Sequence, residues 1–483
     1  MKLLKSILQN KNICYLLTRY VTYGIQFLVS IYIAVALGPQ YFGIWGFILL
    51  LINYFAVFDF GISNAVNLMI IQSGNDSKQV QRYFTTGFLL VTLLNFLIIM
   101  FFVVNYLFPM EVFVKYHITN KIWLICLIVV NVNYNNLMMH LYRINNKLAQ
   151  ISFYQSVVPI LLLIVVSFFN GESLLMYLVL CYSVGNLLSF CSFVFGKVLP
   201  KFIKPVLADF KNVFRRGFFL FLFNVSFYLI VLSLRSFISA HYTVSEFGIF
   251  SFAFTLGNSI LLLLQAISFL IYPKVVAVLN KLENDNVLES LNNLRRVYLT
   301  LTYLMLFIGL VVISKVIDFI PKYSDSFRII GLCSLTMVLY SNSFGYGTYL
   351  ISKGQERINA LISILSLVVN ISLCYILVNY VGVSFHLVIC ATMFAYVVYT
   401  FLTVYFTKKT INAQNRGLLS NFLDCFGINI LIPYFICLVL VMLDYKDLVI
   451  IPLLIFILLS KKDLKFLWCK VKQMISNKDL LKI

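Results

Sequence analysis

Residues 20–62 read YVTYGIQFLVSIYIAVALGPQYFGIWGFILLLINYFAVFDFGI. Between Arg19 and Asp59 this stretch contains no charged side chain, and its strongest turn signal is the pair Gly38-Pro39. The apolar run on each side of that pair is long enough to cross the roughly 30 Å hydrocarbon core of a bilayer as a helix. The stretch therefore predicts two membrane-spanning helices joined by a short turn.

The rest of the chain repeats this pattern. Hydrophobic residues make up 61% of the 483 residues and charged residues only 11%, proportions that cannot coat a soluble globule. Continuous apolar runs indicate helices rather than the alternating strands of a membrane barrel. We expect an all-α polytopic membrane protein of about fourteen helices, or about twelve or thirteen if the short last segment does not span. The predicted segments are about 14–37, 43–72, 83–107, 121–142, 150–169, 174–196, 217–239, 248–275, 297–317, 327–350, 359–380, 385–406, 425–443 and 448–460.

Positive charge predicts the orientation of these helices. Most of the 37 Lys and Arg fall on alternate connections, with clusters at the N-terminus, at 197–216, at 274–296 and from Lys461 onward. The positive-inside rule assigns that side, and therefore both termini, to the cytoplasm. This topology and contact with anionic lipid explain the formal net charge of +20, so a nucleic-acid partner is not expected. The first apolar run lacks a signal-peptide cleavage pattern and is predicted to be retained.

Composition also argues against metal sites and catalytic domains. The ten cysteines are scattered singly and the four histidines lie far apart, so we expect no metal site, no cofactor and no disulfide framework. The longest connections have only about twenty residues, which leaves no room for a catalytic loop domain. A transporter is therefore expected rather than an enzyme.

A short internal repeat organises the chain. Residues 41–47, YFGIWGF, match residues 246–252, EFGIFSF, and the same offset places Asn53 on Asn258. Both copies lie on a predicted outer turn between two spans. Six spans in each half predict parallel repeats about an axis along the membrane normal. We therefore expect two lobes, a cleft between them, and alternating access by rocking of one lobe against the other.

The predicted organisation is two pseudo-symmetric six-helix lobes with additional C-terminal helices. Seven lysines follow Leu459, and the apolar residues between them recur at helical spacing, which predicts a helix in the cytoplasmic membrane interface. The boundaries are 1–196 for the N-terminal lobe, 197–216 for a basic cytoplasmic linker, 217–406 for the C-terminal lobe, 407–460 for two extra membrane helices and 461–483 for a basic amphipathic cytoplasmic tail.

Charged side chains inside the predicted spans are the first functional candidates. Asp59 is the only acid deep in a predicted span, and its carboxyl group must be paired, protonated or hydrated there. Coupling to an ion gradient and a structural role as a cap or ion pair are both open. Arg235, in the seventh predicted span, is its basic counterpart, with snorkelling to the nearby interface as the alternative.

Polar side chains on three helix faces complete the candidates for the cleft. Amides in hydrocarbon either line water or hold helices together, and both interpretations are open. Asn64 shares a helical stripe with Asn53 and Asn67, from which Asp59 points away, so Asp59 and this stripe are not expected to face one cavity. Amides and tyrosines suit sugars, and guanidinium groups suit phosphate oxygens, which favours an anionic, sugar-bearing substrate. The three faces are Arg19 with Gln26, Asn133 with Asn136, His140 and Arg143, and Asn224 with Tyr228 and Arg235.

The order of these features resembles a known family. Residues 31–45, IYIAVALGPQYFGIW, and residues 58–62, FDFGI, are similar to the opening of the Wzx-type polysaccharide flippases, the O-antigen transporters of the multidrug/oligosaccharidyl-lipid/polysaccharide exporter superfamily. Members often carry an acid beside the basic residue of the seventh span, whereas serine and leucine flank Arg235 here. Further similarities are the basic stretch 197–216, Arg235 itself, Glu246-Phe247-Gly248 and Tyr272-Pro273.

The resemblance implies a MATE-like fold and a role in lipopolysaccharide or other surface-polysaccharide biosynthesis. It implies translocation of undecaprenyl-diphosphate-linked oligosaccharide repeat units from the cytoplasmic to the periplasmic leaflet of the bacterial inner membrane. Arg235 would then attract the diphosphate, and Asp59 would couple transport to an ion gradient. A polysaccharide polymerase and a chain-length regulator are candidate partners. Two alternatives stay open, a MATE-like multidrug or cation exporter and a membrane polysaccharide polymerase.

Overall fold

The computed structural model of the protein describes residues 11–57, 59, 61–73, 76–145, 147–259, 275, 279, 284–411, 422 and 425–476. All regular secondary structure within these ranges is helical, which confirms the all-α class. Some predicted features lie outside the described residues. They are residues 1–10, the predicted span 248–275 beyond residue 259 with its Tyr272-Pro273 pair, and the tail beyond residue 476.

Seventeen α-helices, besides a few short 3-10 and π turns, can be given bounds in the described part of the protein. By length and composition nine of the described helices can cross a membrane, or ten if the bent pair that begins at Phe327 is one span. The polytopic class is therefore confirmed, and the number of about fourteen spans stays a prediction. The helices are α1 (Lys11–Val57), α2 (Ile62–Ser73), α3 (Ser77–Leu107), α4 (Glu111–Lys115), α5 (Ile122–Ile144), α6 (Leu148–Val166), α7 (Gly171–Phe195), α8 (Leu207–His241), α9 (244–259), α10 (Asn284–Val316), α11 (Phe327–Leu339), α12 (Tyr346–Ser352), α13 (Glu356–Ile376), α14 (Ile389–Thr410), α15 (Ile428–Met442), α16 (Ile450–Leu459) and α17 (Lys461–Ser476).

Helix α1 contains the first predicted turn as a kink. The backbone leaves the helical region at Gly38, where φ is 70° and ψ is 171°, and Pro39 follows. Glycine adopts this conformation at little cost, and the proline ring prevents an uninterrupted helix. The two apolar runs of residues 20–62 are therefore joined directly, without a loop.

The second predicted span, 43–72, is wrong as a single helix. Helix α1 ends at Val57 and α2 begins at Ile62, and Gly61 between them has a φ of 68°. Gly61 lies outside the right-handed helical region, so the first amides of α2 have no preceding helical turn to bond to. The break changes the angular relation between the residues on its two sides.

The described helices belong to two compact units. The first comprises residues 1–228 and 242–248, and the second comprises residues 229–241 and 249–483. In the first unit, the start of α8 is fixed to α3 by a bidentate ion pair in which the Arg82 guanidinium donates to both carboxylate oxygens of Asp209, each at 2.9 Å. Asp209 is buried whereas Arg82 is partly exposed, so water screens this pair less than it screens a fully exposed one.

In the second unit, a neutral polar network connects α8 with α13 and α14. The Asn370 amide donates to the Ile230 carbonyl at 2.9 Å and to the Ser233 hydroxyl at 3.0 Å. The Thr392 hydroxyl donates to the Asn370 side-chain oxygen at 2.8 Å. Both donors and the acceptor of this buried amide are thus used within the unit, as hydrocarbon surroundings demand.

The two copies of the repeat motif touch each other within the first unit. A Cβ atom added to Gly43 would overlap the carbonyl oxygen of Val244, and one added to Gly248 would overlap the carbonyl oxygen of Pro39. At the repeat offset Gly43 corresponds to Gly248 and Pro39 corresponds to Val244. The contact is therefore reciprocal, as expected where a pseudo-two-fold axis relates two surfaces.

The connection that contains α4 packs against this contact. The Lys115 ammonium donates to the Tyr242 carbonyl at 2.7 Å. The ring of Tyr116 stacks on Phe47 with centroids 4.1 Å apart and meets the edge of Phe247 at 5.8 Å. Burial lowers the pKa of Lys115, and the carboxylate of Glu246 opposes that shift. These contacts hold segment 242–248 in place beside the first copy of the repeat.

The reciprocal contact yields a stability prediction. Gly248→Ala should destabilise the protein by about 1–3 kcal/mol, because a methyl group must displace backbone rather than a flexible side chain. The measurement is the thermal unfolding midpoint of the purified protein in detergent. Gly24→Ala is the matched control, because a Cβ atom there meets nothing within 4 Å and alanine favours a helix. Equal midpoints for the two variants would contradict the close packing at Gly248.

Candidate functional site

A cavity of about 380 Å³ lies within the first unit, beside the break between α1 and α2. Its volume is in the range of pockets that hold small molecules or one part of a larger ligand. The end of α1, the break, the start of α2 and the middle of α8 form its walls. The polar residues that line it are Asp59, Asn64, Asn224 and Tyr228, and the aromatic ones include Phe221 and Phe227.

The break shapes the cavity by allowing α8 to approach closely. Gly61 has a positive φ, and a Cβ atom on it would overlap the Cβ atom of Phe221. A side chain at residue 61 would therefore be strained by its backbone and would also displace α8. Glycine brings Phe221 against the break, and the next turns of α8 then carry Asn224 and Tyr228 along the same cavity wall.

Asp59 lies in the break and caps α2. Its Oδ1 atom accepts a hydrogen bond from the backbone amide of Ser63 at 3.1 Å. The positive end of the helix dipole also favours a carboxylate there, which lowers the cost of an acid among apolar helices. Among the described residues no basic side chain forms an ion pair with Asp59. Asp59 is thus held as a cap while its side chain borders the cavity.

Asn64 shares the cavity with Asp59, against the expectation from the sequence. That expectation assumed one continuous helix, in which the stripe of Asn64 points away from Asp59. The interruption at Gly61 resets the helical phase, so both side chains border one space. The spacing Asp59-x-Gly61 before Ser63 is the sequence signal of this break, because an Asx cap and a glycine mark a helix start.

The structure gives different surroundings to the three residues that the sequence placed on one helix face, Asn224, Tyr228 and Arg235. Asn224 and Tyr228 are exposed side chains in the cavity wall. Arg235 belongs to the second unit, is only 6% exposed, and lies with its guanidinium carbon 5.5 Å from the ring centre of Phe254. Its burial argues against snorkelling to the interface.

The face of Arg19 and Gln26 lies along the first half of α1. The Arg19 guanidinium carbon stacks 4.4 Å from the ring centre of Tyr23, and in the described chain no carboxylate forms an ion pair with it. Gln26 is partly exposed and accepts, through its carbonyl, a hydrogen bond from Ser30 at 2.7 Å. Neither Arg19 nor Gln26 is part of the cavity wall beside Asp59.

A series of tyrosines, Tyr154, Tyr182 and Tyr228, interacts electrostatically in pairs. Tyr154 interacts electrostatically with Arg19 and with Tyr182, and Tyr182 interacts with Tyr228, which borders the cavity. All of these residues belong to the first unit. Their phenol groups can donate and accept hydrogen bonds, so this part of the first unit is polar.

The four candidates on α5 have different surroundings. The Asn133 amide donates to the side-chain oxygen of Asn95 on α3 at 2.8 Å, in a buried pair. The Asn136 side-chain oxygen accepts from the Tyr154 hydroxyl at 3.4 Å, which links it to the tyrosine series. His140 and Arg143 are both partly buried on the next turns of the helix. Asn133 thus holds two helices together, whereas Asn136 contacts Tyr154.

Asp59 both caps α2 and borders the cavity. Two variants distinguish the effect of its hydrogen bond on stability from the effect of its charge. Asp59→Asn keeps a good cap and removes the charge, so the unfolding midpoint should stay close to that of the wild type. Asp59→Ala removes both and should cost about 1 kcal/mol of stability. Thermal unfolding of the two purified variants checks this. Equal losses of stability in both would show that the charge, not the hydrogen bond, stabilises the start of α2.

Comparisons with known proteins agree with this architecture. A family model described as polysaccharide biosynthesis protein matches residues 8–277. The solved lipid II flippase MurJ, in an inward closed conformation, aligns with a TM-score of 0.64 at 14% identity over 96% of this chain and 100% of that chain. An inward-facing MATE family multidrug resistance transporter of the MOP superfamily aligns with a TM-score of 0.59 at 13% identity over 82% of this chain and 98% of that chain.

These similarities confirm the predicted MATE-like fold. At such low identity the two structures speak for the fold alone, and both are transporters rather than enzymes by their descriptions. No curated protein sequence matches the chain significantly.

Proposed function

The chain belongs to the polysaccharide biosynthesis protein family, and from that membership we propose that it is a membrane flippase for lipid-linked oligosaccharides. Its substrate is an undecaprenyl-diphosphate-linked repeat unit of O-antigen or a similar surface polysaccharide. The unit crosses from the cytoplasmic to the periplasmic leaflet of a bacterial inner membrane by alternating access, and both chain termini lie in the cytoplasm. The likeness to the lipid II flippase MurJ supports this proposal.

The observation that carries the proposal is the polar cavity among apolar helices. A glycan cannot enter hydrocarbon unaided, because each unsatisfied hydroxyl costs several kcal/mol, roughly, in an apolar medium. The amides of Asn64 and Asn224 and the hydroxyl of Tyr228 offer donors and acceptors for sugar hydroxyls. The faces of Phe221 and Phe227 offer apolar surface for the ring carbons of a sugar. The cavity therefore holds part of the oligosaccharide.

We assign the diphosphate to Arg19 in preference to Arg235. Arg19 is partly exposed, stacks on Tyr23, and forms no ion pair with a described carboxylate, so its charge is available to an anion. Arg235 is buried against Phe254 and would have to move before it met a phosphate. One guanidinium group can bind two phosphate oxygens at once through parallel N–H donors. Such a contact fixes the orientation of a diphosphate.

Asp59 is the candidate for coupling to an ion gradient. It is a carboxyl group on the cavity wall without an ion-pair partner among the described residues, so it can bind a proton or a small cation. Asp59 lies in a helix break at the start of α2, where the backbone can change its conformation. A change in the charge of Asp59 can therefore be linked to a movement of the helices.

Deletion of the gene is the primary test. Surface polysaccharide should be lost, and undecaprenyl-linked repeat units should accumulate on the cytoplasmic leaflet of membrane vesicles, where a membrane-impermeant lectin or glycosidase measures their sidedness. Units that reach the periplasmic face but stay unpolymerised would indicate the polymerase instead. Unchanged polysaccharide would contradict both functions.

The role of Arg19 makes a sharper prediction. Arg19→Gln should reduce translocation at least about tenfold, because a charge-assisted pair with phosphate contributes about 1.5–3 kcal/mol, and Arg19→Lys should retain part of the activity. The measurement is the rate at which repeat units become accessible at the periplasmic face. Immunoblots of membranes control for protein amount. Full activity of Arg19→Gln would remove Arg19 from the site.

The second candidate function is a multidrug or cation exporter. The acid in the cavity favours it, because a carboxylate attracts a cationic drug, and the fold is shared with MATE transporters. Accumulation of cationic dyes in the deletion strain, with normal surface polysaccharide, would support the exporter.

A further inference from the structure

Helix α17, which belongs to the second unit, packs against α10 of that unit by one face. The Arg296 guanidinium of α10 donates to the Asp463 carboxylate at 2.5 Å and lies 4.8 Å from the ring centre of Phe466. Leu467 on the same side is 8% exposed. An ion pair, a cation–π contact and a buried leucine hold one face of the helix toward α10. The opposite face therefore has a defined orientation on the protein.

The opposite face of α17 is basic and aromatic. Lys461, Lys465 and Trp468 are separated by four and three residues, so they lie in one row along the helix. Both lysines are exposed, and Trp468 is 61% exposed. The carboxylate of Asp463, which would repel an anion, is bound by Arg296 on the docked face. Within the described part of α17 the exposed row carries positive charge alone.

Helix α17 begins where an apolar helix ends. Helix α16, with the sequence IIPLLIFILL, contains no charged residue, and Ser460 alone separates it from Lys461. In a membrane protein such a change from wholly apolar to basic sequence falls at the boundary between hydrocarbon and headgroups. The row of Lys461, Lys465 and Trp468 therefore lies at the depth of the lipid phosphates.

We propose that this row is a binding site for anionic phospholipid on the cytoplasmic leaflet. The indole ring of Trp468 enters the headgroup region, where amphipathic aromatic rings are favoured, and the two ammonium groups contact the phosphates of acidic lipids. Each lysine near an anionic surface strengthens binding to that surface roughly fivefold. The headgroup region of a zwitterionic lipid also accommodates the indole ring, but such a headgroup has no net charge to attract the two lysines. The row thus distinguishes headgroups by charge, which a plain interfacial anchor does not.

The test uses quenching of tryptophan fluorescence by brominated lipids. Full-length protein is reconstituted in phosphatidylcholine with a minor fraction of either brominated phosphatidylglycerol or brominated phosphatidylcholine. Subtracting the signal of a Trp468→Phe variant isolates the emission of Trp468 from that of the other two tryptophans. We expect brominated phosphatidylglycerol to quench Trp468 several-fold more strongly than brominated phosphatidylcholine at the same fraction, and high salt to reduce the difference.

A matched pair of variants separates a specific row from general surface charge. Lys461→Gln combined with Lys465→Gln should abolish the preference for phosphatidylglycerol. Lys78→Gln combined with Lys409→Gln, which removes two other exposed lysines predicted to be cytoplasmic, should leave it intact. Elution volume and thermal midpoint verify that all variants fold.

Three results would overturn the proposal. Equal quenching by both brominated lipids would reduce α17 to an anchor without headgroup selectivity. Quenching by neither lipid would place Trp468 away from the bilayer and indicate a protein partner for this face. Loss of preference in both double variants would assign the effect to the total charge of the protein. None of these outcomes depends on what the cavity transports.

Discussion

The structure depends on the requirement that backbone polar groups inside a membrane find partners within the protein. A helix satisfies this requirement by itself, and a break in a helix does not. The break before Ile62 is tolerable because the Asp59 carboxyl group accepts from the Ser63 amide and closes the start of α2. The same break lets α8 approach at Phe221 and leaves space beside it. The cavity is thus a direct consequence of how one interruption is satisfied.

Much of the fold follows from the sequence because the bilayer restricts the choices. Apolar runs of spanning length predict helices, and the structure has a helix in each predicted segment within the described residues. The shared cavity of Asp59 and Asn64 could not be predicted, because a helical projection assumes an unbroken helix. One interruption changes every angular relation across it, as the resetting at Gly61 shows. Sequence periodicity is reliable within a helix and fails across its ends.

The polar residues illustrate a second limit. Asn133 and Asn224 are both amides within predicted spans, and the sequence gives each the same two interpretations. Asn133 pairs with Asn95 of a neighbouring helix, whereas Asn224 borders the cavity. The difference lies in the residue that faces each amide from another helix, and that partner is remote in sequence. The surroundings of Arg235 also depend on another helix, because its burial beside Phe254 is due to α9.

The reciprocal contact of the repeats limits which substitutions the chain can accept. A tight contact between two side chains can be relieved by a smaller residue on either side. Gly43 and Gly248 each face a carbonyl oxygen of the opposite copy. A carbonyl group is common to all residues, so no substitution at Val244 or Pro39 can remove it. The two glycines are therefore the positions of this contact that tolerate no side chain, whichever residues stand opposite them.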